Sequence, residues 1–148
     1  MNINAIAVAN YFVGLANEKG VDLMQLGLMK RVYITHGFSL AILDKSALNP
    51  RFDVVEAWKN GPVIPSVYHS FKHNKNNPIT EKSVVAEFMG GKIEYHTPEL
   101  DESCHDVKEV AEAVFEKYIN FSDVQMIELL HRSGTPWIRS FDTLRASK

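Results

Sequence analysis

Between Val107 and Tyr118 the apolar residues Val107, Val110, Ala111, Val114, Phe115 and Tyr118 fall at i, i+3, i+4, i+7, i+8 and i+11. A helix of 3.6 residues per turn gathers all six on one face, whereas a strand would scatter them over both faces. The spacing predicts a helix over residues 101–118. Asp101, Glu102 and Asp106 lie toward its positive end and Lys117 near its negative end. Such a helix is stable only with its apolar face laid on other elements, so the rest of the chain must supply them. With 148 residues, 45% of them hydrophobic and 23% charged, the chain is long and apolar enough to bury one core.

Similar signals recur along the chain. Ala5, Val8, Ala9, Phe12, Leu15 and Ala16 predict a first helix over residues 4–19, capped by Asn4 and ended by Gly20. Asp22 and Gln25 have capping-box spacing for a second helix ending near Leu43. It is apolar over more than half its circumference and is expected to be central. Gly27 and Gly37 interrupt it, and a break near Gly37 is the alternative. Residues 45–53 read as a loop, and residues 52–58 as extended chain or one helical turn. Asn60-Gly61-Pro62-Val63-Ile64-Pro65 reads as a rigid shaped turn, leading into a short helix to about His73. Residues 84–88 and 92–96 flank Met89-Gly90-Gly91 as a small hairpin. Ser122 and Gln125 make a capping box for a last long helix carrying Met126, Ile127 and Leu130, with Gly134 as its stop. Thr135-Pro136 then caps a terminal turn through Trp137, Ile138 and Phe141. The predicted fold is mainly α: a compact helical single domain over residues 1–148, with five to six helices and a small β-hairpin.

Chemistry is harder to find. Net charge is −2, so no global positive field draws the chain onto nucleic acid or anionic lipid. The charge is uneven: residues 75–148 carry 13 acids against 9 Lys/Arg, with the acid concentrated between Glu99 and Glu116. Residues 1–12 lack a signal peptide's basic start, and no stretch of eighteen apolar residues exists, which predicts a cytoplasmic protein outside the membrane. His69 and His73 share a helix face, but residue 70 is Ser and no third ligand lies nearby, so no metal is expected. Cys104-His105-Asp106 cannot relay charge among neighbours on one helix, and Cys104 reads as a surface or semi-buried thiol. Phosphate-loop and nucleophile-elbow motifs are absent. Neither an enzyme nor a cofactor is predicted. Lys30-Arg31 reads as a solvated helix edge whose stems cover the core, or as an anchor for an acidic partner. Trp58, Tyr68 and Trp137 are either core residues or interface anchors.

Taken in order, Val8-Ala9-Asn10-Tyr11-Phe12, Leu26 to Tyr33, Glu56 to Tyr68 and Pro136-Trp137 resemble the Panacea domain family, also called SocA-like or GepA-like. The block Glu56-Ala57-Trp58, Gly61-Pro62-Val63, Pro65 and Tyr68 is the most specific part. Where the family usually has Lys-Leu, this chain has Lys30-Arg31.

The resemblance implies a helical cytoplasmic antitoxin of bacterial or phage origin, with no catalytic activity. It would neutralise a protein toxin, encoded by an adjacent gene, by direct binding. It points to Lys30, Arg31, Trp58, Gly61, Pro62, Val63, Pro65 and Tyr68 as recognition or motif residues. Trp58 would be an aromatic anchor, Gly61-Pro62 the loop former, and Tyr68 a packing residue with a hydroxyl handle. The acidic helix would suit a basic toxin. One family member instead delivers its toxin to a ClpXP-type protease, so a proteolytic adaptor is the first alternative. A small metal or thiol enzyme using His69, His73 or Cys104 is the second, and a mobile-element protein that binds a host factor is the third.

Overall fold

The computed structural model describes residues 3–59 and 61–131. Helix α1 (Ala5–Lys19) starts where the Asn4 side chain accepts from the Ala7 N–H, and it ends at Gly20, held left-handed at φ +66°. Its predicted face is buried apart from half-buried Leu15, and so are Ala7, Asn10 and Val13, because other elements cover it from several sides. Helix α2 (Gln25–Phe38) touches α1 and, further along, α3 (Pro65–Phe71), α4 (His105–Lys117) and α5 (Asp123–Leu130), which makes it the hub of the fold. Its start departs from expectation. Met24 occupies the cap position with no side-chain hydrogen bond, and the Asp22–Gln25 box does not form. The Leu23 carbonyl accepts from the Ile79 N–H at 2.8 Å, which ties residues before the helix to a distant segment. At the other end the chain does not break at Gly37. It widens into a π-helical turn, Ser39–Leu43, closed by Asp44 at φ +53°.

Two separate two-stranded antiparallel sheets accompany the helices. Strands β1 (Glu56–Trp58) and β2 (Gly61–Val63) pair Glu56 with Val63, Ala57 with Pro62 and Trp58 with Gly61. The segment expected as a shaped turn is therefore a hairpin. Proline is tolerated there because a two-stranded sheet has only edges. Strands β3 (Val85–Met89) and β4 (Lys92–His96) form the expected hairpin, with Gly90 and Gly91 both at positive φ in its two-residue turn. Helix α4 buries Val107, Ala111, Val114 and Phe115 as its periodicity demands. Helix α5 carries the full Ser122–Gln125 capping box. Phe12 and Phe115 meet in the core with ring centroids 6.3 Å apart. Asn60 and the signals at Gly134, Thr135-Pro136, Trp137, Ile138 and Phe141 lie outside the described residues. Among the described residues no helix is long and apolar enough to cross a membrane.

Candidate functional site

Gly61 and Pro62, in the middle of the Trp58-to-Tyr68 block, close on one buried lysine. Lys30 projects inward from α2 and is fully buried, which overturns the solvated-edge reading. Its Nζ donates to the Pro62 carbonyl oxygen at 2.8 Å. Gly61 stands beside it at φ +109°, and a Cβ there would lie 2.9 Å from the Lys30 nitrogen. Only glycine both adopts that backbone conformation and leaves room for the ammonium group. Pro62 and Val63 are buried with it, while Pro65 begins α3 and is half-buried. Burial pushes the Lys30 ammonium down to about 8, and among the described residues no carboxylate offsets that cost.

Arg31 is likewise interior. It donates to the backbone oxygens of Gly27 at 3.1 Å, Tyr118 at 2.7 Å and Phe121 at 3.3 Å, tying α2 to the ends of α4 and α5. The Asp123 carboxylate closes on the same glycine, where a Cβ would lie 2.7 Å from its Oδ1. Burial raises the Asp123 carboxyl, and Arg31 and the Gly27 backbone draw it back. Neither cation can reach a partner's surface as an anchor. Among the block's aromatic residues, Trp58 is accessible at its edge, beside the exposed Glu56 and Lys59. Trp58 is 36% exposed, stacks edge-on against half-buried Tyr68 at 5.2 Å, and donates from Nε1 to Glu56 at 2.8 Å.

The other sequence candidates are dispersed. Cys104 is wholly buried, not semi-exposed, so its thiol is shielded from reagents. His69 and His73 are both exposed, and His73 lies in a 3-10 turn beyond the end of α3. Among the described residues no three His, Cys, Asp or Glu side chains come together as a metal site.

Two buried polar residues carry weight that no motif announced. Asp53 accepts from the Ala5 N–H and the Asn49 N–H, each at 2.8 Å, and from Ser66 Oγ at 2.6 Å, joining α1, the 45–53 loop and α3. Asn10, fully buried on α1, donates to the Ser83 and Pro98 carbonyls at 3.0 and 2.9 Å and accepts from the Ser83 N–H at 2.8 Å. Ser83 and Pro98 are the two feet of the β3–β4 hairpin, so one side chain clasps both. Behind the hairpin lies a cleft of about 860 Å³, lined by Glu87, Met89 and Glu94 of the hairpin and by Ile6, Phe52 and Asp53 of the body.

A model of the family described as antitoxin SocA-like, Panacea domain, matches residues 28–138. The chain belongs to this family. Antitoxin SocA of Caulobacter vibrioides is 31% identical over 136 residues, covering 92% of this chain and 69% of that protein. No solved structure matches the chain significantly. In this Panacea domain the Gly61-Pro62-Val63 centre of the most specific motif is thus buried, with Gly61 and Pro62 against Lys30. Asn10 lies within the Val8-to-Phe12 stretch, whose spacing carries no sign of its long-range partners. A buried asparagine on an apolar helix face, needing four hydrogen-bond partners, was the available signal.

Proposed function

We propose that this protein is an antitoxin that acts as one domain and silences a protein toxin by binding it directly and covering its working surface. Membership of the antitoxin SocA-like family, with a curated antitoxin matching 92% of the chain, is the observation that carries this reading. The interior placement of Cys104, Lys30 and Arg31 supports a binding role, since it leaves these groups unable to meet a substrate. The toxin is expected from the adjoining reading frame of a bacterial or phage genome, and the site of action is the cytoplasm. Coexpression is the test. Induction of the neighbouring frame should arrest growth, and this chain should restore it in a strain lacking ClpXP-type protease. Rescue that vanishes without the protease would instead identify a proteolytic adaptor. Arrest without rescue in either strain would refute both.

A further inference from the structure

The β3–β4 hairpin has two unlike faces. The pairing register places Ala86, Phe88, Ile93 and Tyr95 on one side and Val85, Glu87, Met89, Lys92, Glu94 and His96 on the other, and Val84, just before β3, continues the first side. On the first side Val84 is 55% exposed, Phe88 77%, Ile93 61% and Tyr95 73%. Phe88 and Ile93 form a cross-strand pair near the hairpin turn and do not line the cleft, so they look outward, while Ala86 and Tyr95, the next pair toward the feet, border it. An apolar sheet face left in water at this density marks a surface awaiting cover. The hairpin is not a frayed end, because Asn10 clasps both of its feet from the core.

The charge around this face says what covers it. Residues 81–102 hold six acids against two lysines, and Lys82 is already paired with Glu99 at 2.8 Å. Glu87 and Glu94 stand directly opposite each other, a cross-strand arrangement that is unfavourable by itself. His96 reaches Glu87 only at 3.6 Å. Both carboxylates line the 860 Å³ cleft, which is roomy enough for several side chains. A cationic partner relieves that repulsion, while an acidic one or a second copy of this chain compounds it.

We propose that the β3–β4 hairpin is the arm by which this protein grips its toxin, a basic protein whose apolar strip covers Phe88, Ile93 and Tyr95 and whose lysine or arginine side chains enter the cleft beside Glu87 and Glu94. The proposal rests on the antitoxin reading and adds the docking surface and the partner's chemistry. The test uses the full chain, the product of the adjoining reading frame, and three variants: Phe88→Ser/Ile93→Ser, Glu87→Lys/Glu94→Lys, and Val124→Ser as an equally exposed control on α5. Titration calorimetry should show at least tenfold weaker toxin binding for each hairpin variant, unchanged binding for the control, and unaltered melting for all three. Wild-type binding with both hairpin variants within twofold would overturn this proposal and leave the antitoxin reading standing. Loss in the apolar variant alone would overturn the cationic partner. A wild-type homodimer that the apolar variant dissolves would assign the face to a second copy. A wild-type chain that neither binds nor rescues would overturn the antitoxin reading and this proposal together.

Discussion

Hairpin β1–β2 turns a carbonyl inward to a buried lysine, and hairpin β3–β4 turns its apolar side chains outward to water. All three residues of β2 are buried, whereas nine of the ten residues of β3 and β4 are exposed. The first carries the most specific motif of the sequence, and the second carries no motif beyond its Gly-Gly turn. A strong motif in this protein therefore marks where the fold is most constrained, by a backbone conformation and a desolvated ammonium group. The docking surface proposed for β3–β4 is the one without a motif, since it has only to remain exposed.

Glycine substitutions in the two hairpins give the sharpest contrast. Gly61→Ala forces a side chain onto φ +109° and against the Lys30 ammonium. It should cost roughly 3 kcal/mol in urea unfolding, combining backbone strain and overpacking. Gly90→Ala, at φ +58° with nothing within 4 Å, should cost about 1 kcal/mol. Equal losses would break the distinction.

Lys30 adds a pH signature to the first hairpin. Its folded value of about 8 lies below the ordinary 10.5, so between these values the unfolded chain binds more protons and stability rises with pH. Fully expressed, the gain is about 3 kcal/mol. Tyr11, raised to about 12 first by burial and then by its hydrogen bond to Glu112, opposes it above pH 10. Denaturant midpoints from pH 8 to 10 should climb in the wild type and stay flat in Lys30→Met. A flat wild-type profile would show that the ammonium group is hydrated.

Asn10→Ala tests the clasp on the second hairpin. It strands the buried Pro98 carbonyl and the half-buried Ser83 N–H and carbonyl, so about 2 kcal/mol should be lost. Amide exchange should quicken in residues 85–96 more than in α2. The smallest effect belongs to Phe88→Ser, which should stay within about 0.5 kcal/mol of wild type because its ring is 77% exposed. A larger loss in thermal unfolding would mean that the outer face is covered in the free protein.

What the sequence disclosed was local. The α4 stripe, the Ser122–Gln125 box and the Gly90-Gly91 turn each depend on residues within one or two turns of chain. Long-range partnerships stayed hidden. Lys30 meets Pro62 across 32 positions, Asp53 meets Ala5 across 48, and Asn10 meets Pro98 across 88. The Asp22 cap failed for the same reason, as the chain ahead of α2 is tied to Ile79. Lys30-Arg31 was misplaced because two adjacent cations read as solvated, and nothing nearby announced the carbonyls that receive them. Of the block from Trp58 to Tyr68, the rigidity was legible and the pairing of its two halves was not.

The Asn10 clasp engages only main-chain atoms of Ser83 and Pro98. It is indifferent to the side chains between them, as a socket is to the tool it holds. Hairpins of the same length and wholly different lettering should seat on the same scaffold, so the outward face could be exchanged like a cartridge without re-engineering the helices beneath.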